Sequence, residues 1–259
     1  MRALEMLNRG WRLLPALAIA LSAGPVAGQV TIGGTPSDQE ASGITGLFAG
    51  DRFENFRHME RFVPTSTMPA SPDPWDLGKS SQSLSFTGDF QGEPTSLEDF
   101  IDRSNTSALL VFKDGKLIYE RYAHGDSRDS LHTSFSVAKS FVATLVGIAL
   151  QEVLIVDQDE PIRKYLPEMT SKTFDDVTVK HVLQMSSGVR FDETYTDPDS
   201  DINKMTALVR EMSYLEYINT LGRNHPPGTF NHYASINTQL LGILLVRVTG
   251  QTLTDYMTA

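Results

Sequence analysis

The chain has 259 residues, with 22 Lys and Arg against 32 Asp and Glu, 40% hydrophobic residues and no cysteine, for a formal net charge of -10. With 13 Phe and 8 Tyr available for a core, this composition excludes intrinsically disordered, collagen-like and disulfide-scaffold chains and leaves room for one or two globular domains. The acidic balance argues against nucleic acid as a partner, because a phosphate backbone is bound by Lys and Arg; small neutral or cationic substrates stay open.

At the N-terminus, Arg2, Arg9 and Arg12 precede an apolar run from Leu13 to Leu21, and the small residues Val26-Ala27-Gly28 follow. Residues 1–28 therefore read as a secretory signal peptide. The apolar run is about half of the roughly 20 residues that a membrane-spanning helix needs, so no stable membrane insertion is expected once the signal is removed. The protein is expected to be exported, to a periplasm or the medium. Without a cysteine, lipoprotein processing is excluded.

From Gln29 to about Pro94 the chain is rich in Gly, Pro, Ser and Thr and reads as an irregular arm, residues 29–94, interrupted by Pro64, Pro69, Pro72 and Pro74. Within it, Phe53, Phe56, Met59 and Phe62 recur every three residues and predict one apolar helical stripe over 52–62.

Ordered patterning, and with it the main domain over 95–259, begins at Thr95, where Ser96-Leu97-Glu98-Asp99-Phe100-Ile101 opens a short helix. Two β-rich runs, Ala108–Phe112 and Lys116–Tyr122, meet at Asp114-Gly115 and predict a tight antiparallel hairpin. Ser136 to Gln151 is apolar almost all round and predicts a helix buried on most faces. Further helices are predicted over Pro161–Leu166, Thr178–Met185, Ile202–Met212, Tyr214–Leu221 and Ser235–Thr249, the last stopped by Gly250. A strand pair followed by many helices, without βα alternation, is an α+β pattern. Two strands alone are marginal, and no convincing strand is read after Tyr122. Either segments read as helices complete the sheet or the sheet continues beyond Ala259; the second is the expectation.

Ser136-Val137-Ala138-Lys139 is the single S-x-x-K of the chain, and chance alone supplies about one such tetrapeptide among its serines and lysines. Its setting adds weight. A serine that opens a helix lies where the positive helix end favours developing negative charge, and a lysine one turn on shares its face. A nucleophile with an adjacent base is one reading; a cap serine with a lysine reaching to the surface is the other. Pro226-Pro227-Gly228 makes a rigid turn ahead of Tyr233-Ala234-Ser235, so Tyr233 is delivered on a stiff loop, as a packing residue or as a proton-transfer group.

Ser136-x-x-Lys139, the Pro-Pro-Gly turn, Tyr233-Ala234-Ser235 and the Leu-Leu-Gly beyond it together resemble the penicillin-recognising serine hydrolase superfamily, of class C β-lactamase and esterase type. The resemblance runs from about Ser107 to the end and is supported by Asp157 to Pro167 and by His181 to Gly188. Within it, Phe191 to Pro198 and the arm around Asn55 to Met59 are similar to the 6-aminohexanoate-oligomer hydrolase branch. The resemblance implies a β-lactamase/transpeptidase-like fold, an antiparallel sheet flanked by a helical region, and no cofactor or metal. It makes Ser136 the nucleophile with its N–H as one oxyanion donor, Lys139 the general base, and Tyr233 the second proton-transfer residue. Tyr195 resembles a lid residue over bound substrate, and Ser235 stands at a substrate-binding position where many relatives have Asn. The superfamily's third motif, Lys or His before Thr-Gly on a late strand, has no counterpart in these 259 residues.

The expected activity is hydrolysis of a small ester or amide through an acyl-enzyme. The alternatives are a β-lactamase or DD-peptidase and, from another class, a catalytically silent cell-envelope binding protein. The six histidines show no H-E-x-x-H spacing, and Asp157, Asp159 and Glu160 lack the remaining pattern of a calcium loop. An acidic turn that caps a helix at Pro161 accounts for them. Asp197, Asp199 and Asp201 suit a loop and a helix start.

Overall fold

The computed structural model describes residues 46–63, 65–79, 84, 86–90, 92–208 and 212–258. The segment read as a signal peptide lies outside the described residues, as does the arm up to residue 45. Two compact units are present, residues 46–63 with 69–133, and residues 65–68 with 134–258.

In the first unit, Asp51 caps α1 (Arg52–Arg57) by accepting from the N–H groups of Phe53 and Glu54 at 3.0 and 3.3 Å. The helical stripe predicted to Phe62 breaks at His58. There the N–H bonds the Asn55 carbonyl three residues back, which tightens the last turn, and a separate 3-10 turn spans Met59–Arg61. The arm read as irregular also holds an antiparallel hairpin, β1 (Thr87–Phe90) with β2 (Glu93–Ser96). Gly88 and Pro94, residues depleted in strands, hide it from pattern reading. Thr95 thus belongs to a strand. Ser96 ends that strand and caps α2 (Leu97–Arg103) by accepting from Asp99 N–H at 3.1 Å.

The second hairpin forms as predicted, from β3 (Ala108–Lys113) and β4 (Lys116–Tyr122). Asp114 and Gly115 sit at φ +52° and +74°, the left-handed pair that a type I′ turn requires. Val111 pairs with Tyr119 but Phe112 pairs with Leu117, so a bulge leaves Ile118 unopposed. Glu98 of α2 ties down β4, accepting from Tyr119 Oη and Arg121 Nε, both at 2.6 Å. Burial and this carboxylate together push the Tyr119 hydroxyl up to about 12. Asp126, its side chain 1% exposed, accepts from Arg57 Nη1 at 2.7 Å and lies 2.5 Å from His132 Nε2, which joins α1 to the loop after β4.

The second unit is helical and contains the main core. Its elements are α3 (Ala138–Gln151), α4 (Val179–Leu183), α5 (Asp201–Leu208), α6 (Tyr214–Thr220), α7 (Ser235–Thr249) and α8 (Leu253–Thr258). Helix α7 is the central element and packs against α3, α4, α6 and α8. Its Ile236, Leu240, Leu241, Leu244 and Leu245 are buried, and it ends at Gly250 as the sequence predicts. Helix α3 differs from expectation. Only Val142, Leu145, Val146 and Ala149, an i, i+3, i+4, i+7 stripe, are buried, while Ser140, Thr144, Gly147 and Gln151 form an open face. The small and polar residues on that face are those that interrupt the apolar pattern.

Over Pro161–Leu166 a 3-10 turn, Ile162–Lys164, stands in place of the predicted helix. The acidic run before it serves local structure. Asp157 accepts from Asp159 N–H at 2.9 Å, and Glu160 takes Lys164 Nζ at 2.5 Å and the Tyr165 hydroxyl. Among the described residues no helix is long and apolar enough to cross a membrane, and no group of three or more His, Cys, Asp or Glu could hold a metal ion.

Candidate active site

Ser136 lies in a 3-10 turn, Phe135–Val137, that runs directly into α3. The aligned peptide dipoles of the helix start place partial positive charge beside the serine, although the N–H groups of Val137 and Ala138 already bond the carbonyls of Ser134 and Phe135 in the 3-10 turn. Phe135, the residue before Ser136, has φ +43°. A bulky side chain in the left-handed region is strained, and Ser136 follows it on an exposed corner. Lys139 follows one turn later on the same face, where its Nζ donates to Ser136 Oγ at 3.1 Å.

Tyr233 reaches the same oxygen from another element 97 residues along the chain, its hydroxyl donating to Ser136 Oγ at 2.7 Å. Lys139 Nζ lies 5.2 Å from the centre of the Tyr233 ring, within cation–π range. The three residues that the sequence singled out as catalytic therefore converge on one atom, all within the second unit.

A backbone clamp sets the position of the loop that carries Tyr233. Ser186 O accepts from Gly228 N–H at 2.8 Å, Met185 O from His232 N–H at 2.8 Å, and Gly188 O from the N–H groups of Asn224 and His225 at 2.9 and 3.2 Å. Asn231 Nδ2 adds a bond to Gln184 O, and His232 Nε2 one with Phe191 O, both at 2.8 Å. Gly188 makes the approach possible. Its φ is +76°, and a Cβ there would stand 2.0 Å from the His225 carbonyl oxygen. The segment from His181 to Gly188, which the sequence offered only as supporting resemblance, is thus the bed on which the loop carrying Tyr233 lies.

The two proposed substrate-binding residues meet at a side chain that the sequence did not single out, Glu193. Tyr195, 63% exposed, donates its hydroxyl to Glu193 Oε1 at 2.7 Å. Desolvation and this carboxylate push the Tyr195 hydroxyl up to about 12. Ser235 is buried, and its hydroxyl donates to the same oxygen at 2.5 Å instead of standing open. A carboxylate two residues before Tyr195 in an acidic loop was the only available signal for Glu193. Nothing local marks it, because its partner at Ser235 is 42 residues away.

Compared with known proteins, residues 97–259 match the family described as Beta-lactamase. The 6-aminohexanoate-dimer hydrolase of Paenarthrobacter ureafaciens is 32% identical over 162 residues, which cover 60% of this chain and 41% of that protein. A Beta-lactamase of Yersinia enterocolitica is 25% identical over 157 residues, covering 58% of this chain and 38% of that protein. The chain therefore spans less than half the length of these curated relatives. A solved structure of a candidate 6-aminohexanoate-dimer hydrolase from Bacillus anthracis superposes with a TM-score of 0.72 at 22% identity, over 87% of this chain and 62% of that one. That likeness establishes a β-lactamase/transpeptidase-like fold of helices with antiparallel sheets.

Proposed function

The chain belongs to the β-lactamase family, and on that premise we propose that it is part of an exported serine hydrolase that cleaves an ester or amide bond through an acyl-enzyme on Ser136. One observation carries the reading: Ser136 Oγ lies 3.1 Å from Lys139 Nζ and 2.7 Å from Tyr233 Oη. Both contacts are within the reach that proton transfer needs.

In the forward direction, Ser136 Oγ attacks the carbonyl carbon and gives its proton to Lys139 Nζ, the 3.1 Å contact then running from hydroxyl to neutral amine. The oxyanion that forms faces the Ser136 N–H at the helix start. When the C–O or C–N bond breaks, the leaving oxygen or nitrogen takes a proton relayed through Tyr233 Oη. Water then attacks the Ser136 ester, loses its proton along the same path, and releases the acid with Ser136 restored.

For substrate class, the 32% identical relative is a 6-aminohexanoate-dimer hydrolase, which supports a short linear amide. Export is supported by the signal-like first 28 residues. A fluorophosphonate probe tests the nucleophile: it should label the full-length protein at Ser136 and fail on Ser136→Ala, and labelling that survives the substitution rejects the assignment. Faster turnover of a chromogenic cephalosporin than of p-nitrophenyl esters would reject the ester and amide preference.

A further inference from the structure

Helix α7 begins without a cap of its own. Its N-cap residue is Ala234, which has no side-chain acceptor, so the N–H groups of the first turn need one from elsewhere. Glu193 supplies it from 42 residues away, Oε2 accepting from Ser235 N–H at 2.8 Å and Oε1 from Ser235 Oγ at 2.5 Å. A carboxylate is favoured there because the helix start carries partial positive charge.

The placement matters because Tyr233 is the second residue before Ser235. Only Ala234 separates them, and it is fully buried in an extended conformation, φ -143° and ψ 112°. No flexible segment lies between the capped N–H and the tyrosine. Behind Tyr233, His232 is fixed by its N–H to Met185 O and by its ring to Phe191 O. Glu193 thus holds the one side of Tyr233 that the backbone clamp does not reach.

We propose that Glu193 is a positioning residue of this site, its carboxylate capping α7 at Ser235 and thereby holding the Tyr233 hydroxyl against Ser136 Oγ. The inference rests on the reading of Ser136 as nucleophile and Tyr233 as a proton-transfer group. Tyr195 shares the carboxylate at 2.7 Å, so the tyrosine expected to cover the substrate and the one expected to move protons are joined through a single side chain.

A double-mutant cycle separates positioning from simple helix capping. kcat and KM for a p-nitrophenyl ester, with Tm, are measured on full-length Glu193→Ala, Glu193→Gln, Tyr233→Phe and the two double variants. Glu193→Ala is expected to lower kcat about 10- to 100-fold, the scale of a small misplacement of a catalytic group, with KM within about twofold. Glu193→Gln keeps an oxygen that accepts from the Ser235 N–H and should recover most of that loss. In the Tyr233→Phe background, Glu193→Ala should cost less than about threefold, because the hydroxyl it positions is gone. An equal loss in both backgrounds, or a lowered Tm with unchanged kcat, overturns the inference. If Tyr233→Phe alone leaves kcat unchanged, the reading of Tyr233 fails and the inference falls with it, a result distinct from a damaging Tyr233→Phe beside a silent Glu193→Ala. Should Glu193→Ala unfold, the cycle built on Glu193→Gln decides by the same non-additivity.

Discussion

Gly188→Ala places the smallest possible perturbation where the tyrosine loop meets its bed. An added Cβ would stand 2.0 Å from the His225 carbonyl oxygen, while ordinary carbon–oxygen contact is more than 1 Å longer, so one of the two backbones must move by about that much. Alanine at φ +76° adds about 1 to 2 kcal/mol of conformational strain. The displacement also stretches the bonds from Asn224 and His225 N–H to Gly188 O, at 2.9 and 3.2 Å, each worth about 1 kcal/mol net. The sum is about 3 to 4 kcal/mol. Since native domains hold only about 5 to 15 kcal/mol in reserve, Tm should fall by about 10 °C, as differential scanning calorimetry would read. Activity should fall further than stability accounts for. Tyr233 follows His225 on the same strap, and a shift near 1 Å at a catalytic group costs up to about 100-fold in rate. The assay is ester hydrolysis well below the new Tm, where the remaining protein is folded. A Gly188→Ala variant with unchanged Tm and a rate within twofold of the parent would refute the claim that this contact positions Tyr233.

Two further predictions concern charge. Lys139→Ala should reduce the acylation rate by at least about 100-fold while Tm changes little, because this half-buried amine reaches out to Ser136 at the helix start and is not among the residues that form the core; equal loss of rate and stability would make the lysine structural. Burial of Asp126 acts to raise its pKa, but hydrogen bonds from Arg57 and His132 outweigh it and hold the carboxyl below the usual carboxylate range. The stability it contributes is therefore fully present above the unfolded carboxyl pKa of about 4 and is lost as pH falls through the lower folded value. Asp126→Asn should flatten that acid limb in a Tm-against-pH series and cost about 2 kcal/mol at neutral pH, less than the usual buried-pair penalty because Arg57 keeps Glu54 at 2.8 Å. An unchanged acid limb would show that the carboxylate is not the titrating group.

What could be read from the sequence divides along the range of the interactions involved. Helix α7 was legible to its last residue because its apolar run and its terminating Gly250 are local signals. The β3–β4 hairpin was legible because Asp114-Gly115 fixes the turn without reference to the rest of the chain. Hairpin β1–β2 was not, since Gly88, Asp89, Glu93 and Pro94, residues depleted in strands, mask the signal of Thr87, Phe90 and Thr95, and a local bond at the turn that joins the two strands, Asp89 accepting from Gly92 N–H at 2.8 Å, is not a hydrophobic pattern. The breadth of the buried face of α3 was overestimated for a related reason. Apolar content states what could be covered, and the neighbours that do the covering are set by packing.

The same division runs through the site. Ser136 and Lys139 are one helical turn apart, so their contact follows from spacing alone and is written in four residues of sequence. The Tyr233 contact spans 97 residues, and its direction was supplied by resemblance, not by any local rule. Behind these three stand residues that neither spacing nor motif exposes. Gly188 matters only because a carbonyl from another loop needs the space its side chain would fill, and Glu193 only because α7 starts at an alanine that cannot cap it. Such residues are fixed by a demand that arises elsewhere in the fold: an orphaned N–H at one place specifies a carboxylate at another. A catalytic group can be recognised from its own chemistry, whereas the group that positions it becomes visible once the unsatisfied partner is in view. Testing that asymmetry needs substitutions that leave Ser136, Lys139 and Tyr233 intact, which is why Gly188 and Glu193 are more informative targets here than a second replacement of Ser136.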